Sequence, residues 1–451
     1  MSAAGPRCVA VVGGGWAGCA AAVTLARAGL PVTLFEQAKT LGGRARRVVL
    51  DGVAVDNGQH LMIGAYVQVL ALLSAVHGAT EARRLFHRLP LTMRPFGAPR
   101  RGTVSIAAWR APAPLHLAGG MLGADGLAWR ERLALVSEFR RLARAGFRCP
   151  PAQTVAQCFA GGPLRAFAAV WEPLCLAALN TPPEAASAQM FANVLRAAFT
   201  GSRRHSDFLV PAVDLSALFP DAAARLVSAH GGEVRTATLA RVFAPRDGVT
   251  KIRTATGDES FAAAIVAVAP HQLAGAFVEP EGDAAPWYEA LVQTMAFRYE
   301  SITTVYLGLA APVELPARLA RLDDAPGQWV FDRSDALPPD APGDARSLVS
   351  VVISAGGAHD LQDHAALAAD IEAQLRRLDR RLPAVVWSRV IAERRATYAC
   401  APALRRPVAG RIVPGLYLAG DYTDPDFPAT LEAATRSGVA AARAAISDDP
   451  R

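Results

Sequence analysis

The sequence predicts an α/β protein made of a discontinuous α/β domain and a mixed α+β domain inserted into it. Three observations predict this class. An apolar run leads into a glycine-rich turn and a helix near residue 13. A second apolar run ends in a glycine turn near residue 420. Between them, the α/β pattern is interrupted twice by segments in which helical patterns, strands and proline-rich stretches alternate. The chain has 451 residues, which is enough for two domains.

The first α/β unit covers residues 9–36. Between two apolar runs it carries a Gly-x-Gly-x-x-Gly turn, formed by Gly13, Gly15 and Gly18, and an alanine-rich helix. The second run ends on Glu36. Such glycines allow a tight turn, close approach of a pyrophosphate and close packing of helix on strand, while the acid accepts from a ribose hydroxyl. The unit therefore predicts Rossmann-type dinucleotide binding; a glycine turn that binds nothing is the alternative.

Composition excludes several classes. The formal net charge of +7 is carried almost wholly by arginine, in short clusters without interleaved aromatic residues, so nucleic-acid binding is not expected. The basic balance also suits an anionic membrane surface or an acidic partner. The six cysteines and nine histidines lack metal-ligand spacing, so we expect reduced thiols and no metal site.

No segment predicts a membrane span or a cleaved leader. No uninterrupted apolar stretch reaches the length of a transmembrane helix. The apolar run 261–270 is short and ends in proline, which indicates a buried strand. Removal of the first apolar run as a signal peptide would destroy the glycine turn, so we expect it to be retained.

Changes in pattern along the chain predict the domain limits. We assign residues 1–66, 205–270 and 395–451 to the dinucleotide-binding domain. Residues 67–204 and 271–394, where helical patterns, proline-rich segments and strands alternate, form the inserted substrate-binding domain. From the sequence pattern we predict helices over 164–178, 215–229 and 364–378 and strands over 239–243 and 347–354.

The end of the chain supplies a second candidate binding element. The apolar run 415–421 closes on Gly420 and Asp421, and a helix is predicted to begin near Thr430. Asp421 can accept from a ribityl hydroxyl, and the helix N-terminus can stabilise negative charge on a flavin. Taken alone, Asp421 is equally explained by an Asx-turn or a helix cap.

These motifs resemble the flavin amine oxidase and phytoene desaturase superfamily. The resemblance is carried by the turn at 13–18, Glu36, the Gly-Gly-Arg at 42–44 and the Leu-Ala-Gly-Asp at 418–421. Cys19 stands where relatives often have leucine, which we interpret as a packing substitution. Three further stretches resemble the squalene-associated branch, the hydroxysqualene dehydroxylases, so that the likeness extends over nearly the whole chain. They are residues 55–60, 171–182 and 420–438.

The resemblance implies a Rossmann-like FAD-binding domain, an amine-oxidase-like substrate domain and non-covalent FAD. It places Glu36 at the adenosine ribose, Arg44 at the phosphates, Asp421 at the ribityl chain and the backbone near Leu239 at the adenine, the last from strand position alone. The implied cofactor-binding residues are Gly13, Gly15, Trp16, Ala17, Gly18, Glu36, Gln37, Gly43, Arg44, Gln59, His60, Leu239, Gly420, Asp421, Thr430 and Leu431.

The catalytic residues are not identified by the resemblance. Gln59 and His60 are expected near the isoalloxazine and are the candidates. A packed core histidine explains His60 equally well.

For this branch, the implied reaction is reductive removal of the hydroxyl of hydroxysqualene to give squalene, in hopanoid or related isoprenoid biosynthesis. Hydride passes from reduced flavin N5 to an allylic cation, which requires an acid and an apolar, water-free tunnel. Segments 115–127 and 164–199 are rich in alanine and leucine and are candidates to line the tunnel; plain helical core is the alternative.

Three other functions stay open. One is a carotenoid- or phytoene-type FAD desaturase or isomerase, and another is a non-catalytic flavin- and isoprenoid-binding protein. Amine oxidation needs an aromatic cage, which Tyr398 and Tyr417 do not clearly supply.

We expect a long isoprenoid substrate and a cytoplasmic protein. Peripheral contact with the inner face of the cell membrane is an open alternative, and the oligomeric state is not predicted.

Overall fold

The computed structural model describes residues 8–448 except 99, 101 and 279–284. Its strands, in chain order, are β1 (Val9–Val12), β2 (Val32–Phe35), β3 (Arg47–Leu50), β4 (Val53–Asp56), β5 (Met62–Ile63), β6 (Phe86–Leu89), β7 (Thr92–Met93), β8 (Ile106–Ala107), β9 (Phe208–Pro211), β10 (Glu233–Arg235), β11 (Arg241–Val242), β12 (Thr250–Thr254), β13 (Gly257–Phe261), β14 (Ala263–Val266), β15 (Tyr299–Leu309), β16 (Leu319–Arg321), β17 (Trp329–Asp332), β18 (Ser347–Ser354), β19 (Val385–Tyr398), β20 (Gly410–Val413) and β21 (Leu416–Leu418).

Its α-helices, in chain order, are α1 (Trp16–Arg27), α2 (Val67–His77), α3 (Ala79–Arg84), α4 (Leu115–Leu122), α5 (Trp129–Arg144), α6 (Val155–Phe159), α7 (Leu164–Ala166), α8 (Glu172–Leu179), α9 (Ala188–Phe199), α10 (Leu215–Leu218), α11 (Pro220–Ala229), α12 (Tyr288–Met295), α13 (His364–Leu378) and α14 (Leu431–Asp448).

A six-stranded sheet confirms the predicted α/β class. Its strand order is β10-β2-β1-β14-β21-β20; neighbouring strands are parallel except for β20, which pairs antiparallel with β21. The strands come from three separate stretches of the chain, so the sheet itself is discontinuous in sequence. The domain limits stay a prediction.

The central strands are buried throughout, and apolar except for Thr33, because both of their faces are covered. Every residue of β1, β2 and β14 is buried, as expected for parallel strands between layers of helices. Helix α1 packs against α14 and α11. The contact between α1 and α14 is close, since a Cβ on Gly438 would overlap the carbonyl oxygen of Ala17.

A second, antiparallel sheet has the order β16-β17-β18-β15-β19. Helix α13 covers one face, with Leu367, Ile371 and Leu375 in a shared core with Val305 and Val349. The predicted helix over 364–378 and the predicted strand over 347–354 are both confirmed with these bounds.

Two predicted helices are each interrupted. The helix expected over 164–178 is α7 and α8 joined by a π-helical turn, Phe167–Trp171. The helix expected over 215–229 is α10 and α11, separated at Phe219. Pro220 begins α11 because proline suits the first turn of a helix and not its interior.

Candidate functional site

A cavity of about 800 Å³ lies at the carboxyl end of the parallel sheet. Gly13 follows β1, Glu36 follows β2, Ala267 follows β14 and Gly420 follows β21, and all four line the cavity. Ligands of open α/β sheets bind at this edge of the strands. The two ends of the chain, about four hundred residues apart in sequence, therefore form a single site.

The first glycine turn leaves room for a ligand to contact backbone. Gly13 has φ +106°, and a Cβ built there would lie 2.6 Å from the carbonyl oxygen of Ala267. A Cβ on Gly15 would meet nothing within 4 Å, because it would project into open space. Gly18 does not line the cavity; a Cβ there would overlap the carbonyl oxygen of Gly13, so its absence lets α1 pack beneath the turn.

A second glycine turn packs on the first. Gly42 donates its N–H to the carbonyl oxygen of Gly14 at 2.8 Å, and Gly42 and Gly43 both have positive φ. A Cβ on Gly43 would lie 3.3 Å from the Cα of Gly15. The two turns thus form one backbone wall, to which Gly43 and Gly15 both contribute.

Two helix N-termini meet the cavity. Helix α1 begins after Gly15 without a capping side chain or an acid in its first turn, and Trp16 and Ala17 line the cavity. Thr430 and Leu431 line it at the start of α14, where Thr430 Oγ1 accepts from the N–H of Ala433 at 3.1 Å. Unpaired N–H groups at helix starts favour anionic ligand groups.

The carboxylate of Glu36 is held in place by backbone. Its two oxygens accept from the N–H groups of Gly14 and Ala38, each at 2.7 Å, and it lines the cavity with Gln37 and Leu239. Leu239 was predicted to belong to a strand over 239–243, which is wrong: the strand is only β11, and Leu239 precedes it. Leu239 nevertheless lines the cavity, and its contact with an adenine stays a prediction.

Arg44 and Asp421 contact each other. Arg44 Nη2 donates to Asp421 Oδ2 at 2.5 Å, and Arg44 Nη1 donates to the carbonyl oxygen of Ala396. Burial opposes the charge of Arg44, but Asp421, Glu393 and Tyr299 outweigh burial and raise the pKa of Arg44. Two residues expected to reach different parts of the cofactor therefore form one ion pair on the cavity wall.

Gln59 and His60 also lie on the wall. The Gln59 side chain donates to the carbonyl oxygen of His60 at 2.9 Å and accepts from Ser350 Oγ at 2.9 Å. His60 Nδ1 lies 2.8 Å from the carbonyl oxygen of Gly58, which can only accept, so Nδ1 carries the proton. Burial, and then Arg44 and Arg333, lower the pKa of His60, which makes it neutral at pH 7 with Nε2 as an acceptor.

Asp56, next to these residues in sequence, points away from the cavity. It is 1% exposed and pairs with Arg333, 5% exposed, at 3.1 Å; it also accepts from the N–H of Leu215 at 2.7 Å. Burial raises the pKa of Asp56 to about 6, with Arg333 acting in the opposite direction. Asn57, the first residue after β4, lines the cavity, whereas Asp56 at the end of that strand does not.

Sequence reasoning missed part of the wall. The second sheet contributes Ile302 and Glu393, opposite each other on β15 and β19, and His271 follows β14. Asn180 lies in the left-handed conformation at the end of α8, where its side chain donates to Thr397 Oγ1 and accepts from the N–H of Ala355. The sequence Asn-Thr-Pro at 180–182 could have predicted that the helix ends at Asn180. Nothing in the sequence marked Ile302 or Glu393 as residues of the wall.

The segments expected to line a tunnel contribute little to the large cavity. From 164–199 it takes Ala177, Ala178 and Asn180. A second, much smaller cavity is wholly apolar and borders α4 and α8. Its lining residues are Leu91, Met93, Ile106, Ala108, Leu117, Gly120, Met121, Val170, Leu174 and Phe199.

Three further observations concern cysteine and metal ligands at the cavity, membrane-spanning helices, and the two tyrosines considered for an aromatic cage. Within the described residues, the cavity wall includes no cysteine, and no group of three or more His, Cys, Asp or Glu is arranged to hold a metal ion. In the same part of the chain, no helix is both long and apolar enough to span a bilayer. Tyr398 and Tyr417 lie in the core, bonded to Arg406 and Asp448, and not on the wall.

Comparison with known proteins places this site in context. The model of the family described as flavin containing amine oxidoreductase matches residues 16–446. Hydroxysqualene dehydroxylase of Rhodopseudomonas palustris is 28% identical over 97% of both chains. Hydroxysqualene dehydroxylase of Sinorhizobium fredii is 28% identical over 98% of this chain and 99% of its own.

A solved structure shares the fold. Cyclohexylamine oxidase of Brevibacterium oxydans matches with a TM-score of 0.70 and 13% identity, over 99% of this chain and 100% of its own. The predicted amine-oxidase-like fold is therefore confirmed. The resemblance seen in the glycine, Gly-Gly-Arg and Gly-Asp motifs is confirmed as well: this chain belongs to the flavin containing amine oxidoreductase family and is a flavin-dependent oxidoreductase.

Proposed function

We propose that the protein binds FAD non-covalently and uses it to convert hydroxysqualene to squalene. The observation that carries the proposal is the single cavity built from both chain ends, to which Ile302 of the second sheet and Ala177 and Ala178 of α8 add apolar surface. Similarity over nearly the whole chain to two hydroxysqualene dehydroxylases supports this substrate.

The cavity suits an extended dinucleotide. Gly15 and the start of α1 are positioned for the pyrophosphate, Glu36 for the adenosine ribose and the wall at Leu239 for the adenine. The Arg44–Asp421 pair and the start of α14 are positioned for the ribityl chain and the negative charge of a reduced flavin. Because no cysteine of the described chain borders the cavity, thiol attachment has no candidate there.

In the reaction, the C–O bond of the alcohol breaks to leave an allylic cation, and the oxygen leaves as water after taking a proton. Bound reduced FAD would supply the hydride, and solvent would supply the proton that leaves with the oxygen as water. Ala177, Ala178 and Ile302 present apolar surface that excludes water from a cation. Neutral His60 adds no positive charge to oppose that cation, and its free Nε2 can orient the alcohol by accepting its hydrogen bond.

The solubility of hydroxysqualene also indicates where the protein takes up its substrate. Such a substrate dissolves in lipid and not in water, so we include peripheral contact with a membrane in the proposal.

The test uses the purified, flavin-loaded protein reduced anaerobically. Hydroxysqualene should re-oxidise the flavin and squalene should appear in equal amount, whereas added squalene should leave the flavin reduced. Failure of hydroxysqualene to re-oxidise the flavin would contradict the proposal. Re-oxidation by phytoene-like polyenes instead would favour a desaturase.

A further inference from the structure

One exposed surface of the helical region combines large apolar side chains with arginines. We call it the apolar–arginine face. Its five apolar side chains are between 46% and 86% exposed. Single exposed apolar residues are ordinary, but a group that includes two tryptophans marks an interaction surface. The face consists of Trp109, Leu115, Trp129, Leu133 and Leu164 with Arg110, Arg130, Arg140 and Arg144.

Hydrogen bonds hold the segments of this face together. The N–H of Trp109 donates to the carbonyl oxygen of His116 at 2.9 Å, which ties the preceding loop to α4. Arg132 of α5 donates to the carbonyl oxygen of Leu122 at the end of α4, at 3.1 Å. Arg165 of α7 donates to the carbonyl oxygen of Gly126 at 2.6 Å. The loop, α4, the start of α5 and α7 therefore form one surface.

Helix α5 shows how the apolar and charged parts are arranged. Trp129, Leu133, Arg140 and Arg144 follow one another at intervals of four, seven and four residues and are all exposed. These intervals place them on one side of a helix with 3.6 residues per turn, while Leu135 on the opposite side is buried. The outer side of α5 thus begins apolar and ends basic.

The charge of the face is not balanced by acids. Residues 109–165 contain eight arginines and three carboxylates. Four arginines of the face form no ion pair with any other residue that the structure describes: Arg110, Arg130, Arg140 and Arg144. These side chains are exposed, so they are available to an anionic partner.

Behind the face, apolar contacts lead toward the flavin cavity. Helix α4 exposes Leu115, while Leu117 and Met121 of the same helix line the small apolar cavity. Leu174 of α8 lines that cavity too, and Ala178, one turn further along α8, lines the large cavity. Helix α4 therefore lies between the apolar–arginine face and the route to the site.

We propose that the apolar–arginine face docks on the surface of an anionic phospholipid bilayer, with α4 at the point where an apolar substrate enters. Tryptophan and leucine side chains suit the boundary between headgroups and acyl chains, and arginines suit the phosphates above it. The role of α4 rests on the proposed function, whereas docking requires no turnover. The exposed apolar side of α12, at Val292 and Met295, offers a comparison because that helix contains an acid and no arginine.

The experiment is co-sedimentation of the flavin-loaded full chain with vesicles of phosphatidylcholine, with and without phosphatidylglycerol, at low and high salt. The wild type should bind the anionic vesicles, and salt should weaken that binding. Trp129→Ser/Leu164→Ser and Arg140→Gln/Arg144→Gln should each reduce binding about tenfold or more. The matched control Val292→Ser/Met295→Ser should bind as the wild type does.

Several results would overturn the proposal. The wild type could fail to bind anionic vesicles, the control could lose as much binding as the face variants, or the face variants could bind normally. A wild-type dimer that Trp129→Ser/Leu164→Ser converts to monomer, without vesicle binding, would make the face a self-association surface instead. Flavin absorbance and Tm of each variant check that it is folded.

The proposed function can fail separately. In detergent, hydroxysqualene that leaves the reduced flavin unchanged, together with the expected vesicle results, would remove the substrate and leave the docking surface in place.

Discussion

The large cavity and the helical region around α4, α5 and α8 are stabilised in opposite ways. The cavity wall is organised by backbone donors and buried polar pairs, such as Glu36 on Gly14 and Ala38. The helical region is organised by packing, for example Trp171 stacked on Phe159 with ring centroids 4.8 Å apart. Polar contacts fix the position of each group, whereas apolar packing tolerates alternatives.

This difference suits the two tasks. A cofactor with fixed phosphates and hydroxyls requires donors and acceptors at fixed positions. A long hydrocarbon chain requires only an apolar, water-free volume. The predictions below test whether the two regions respond to substitution as this contrast implies.

The largest effect is expected for the buried ion pair behind the cavity. Asp56→Ala leaves Arg333 charged and buried, so the free energy of unfolding should fall by about 3–5 kcal/mol. Urea unfolding of the apo protein measures this change. Glu372→Ala, which removes an ion pair with Arg376 on the surface of α13, should change it by less than about 1 kcal/mol. Equal effects of the two variants would contradict the role given to the buried pair.

A smaller effect is expected at Asp421, for which we propose a direct contact with the cofactor. Asp421→Ala should weaken flavin binding about ten- to a hundredfold, because it removes a charged acceptor and releases Arg44. Titration of apo protein with FAD gives the affinity. Asp426→Ala, a more exposed partner of Arg436, is the control and should bind FAD normally. Normal affinity of Asp421→Ala would remove this residue from the site.

For a substitution in the part of the cavity formed by α8, we expect slower reaction with the substrate and unchanged FAD affinity. Ala177→Leu adds volume inside the large cavity and should lower the rate of flavin re-oxidation by hydroxysqualene roughly tenfold, with FAD affinity unchanged. Ala168→Leu, at an exposed position that lines neither cavity, should leave both values unchanged. A loss of FAD affinity in Ala177→Leu would contradict this expectation and indicate that Ala177 contacts the cofactor.

A fourth effect depends on pH. Burial raises the pKa of Asp56 from 3.8 to about 6, so the folded protein binds this proton more tightly than the unfolded chain does. The stability contributed by that proton is complete below about pH 4 and is lost as the pH rises through about 6. The difference in unfolding free energy between wild type and Asp56→Asn should therefore decrease from pH 4 to pH 7 and then stay constant. An increase over that range would contradict the raised pKa.

The same contrast explains what the sequence could predict. Backbone sites need glycine at fixed spacing, so the turns at Gly13, Gly15, Gly42 and Gly43 and the acid at Glu36 could be placed before the structure was known. Buried parallel strands such as β1, and β2 with Thr33 as its one polar residue, are predominantly apolar runs and were equally clear.

Other features depend on tertiary packing and were missed for that reason. The π-helical turn Phe167–Trp171 is an exception, because Pro173, two residues after it, is a helix breaker that the sequence contained; Trp171 donates to the buried Glu138. Ile302 and Glu393 come together only because β15 and β19 pair. An apolar segment has the same composition whether it lines a tunnel or fills a core, so 115–127 and 164–199 could not be assigned.

The most direct test of the cavity as one extended flavin site is Gly15→Ala. The backbone of Gly15, at φ −69° and ψ 179°, is accessible to alanine, and the added methyl would meet no protein atom within 4 Å. We therefore predict an apo protein with unchanged Tm and an FAD affinity reduced by a hundredfold or more, since the methyl would occupy the space of the pyrophosphate (about 3 kcal/mol). Wild-type FAD affinity in Gly15→Ala would contradict the account.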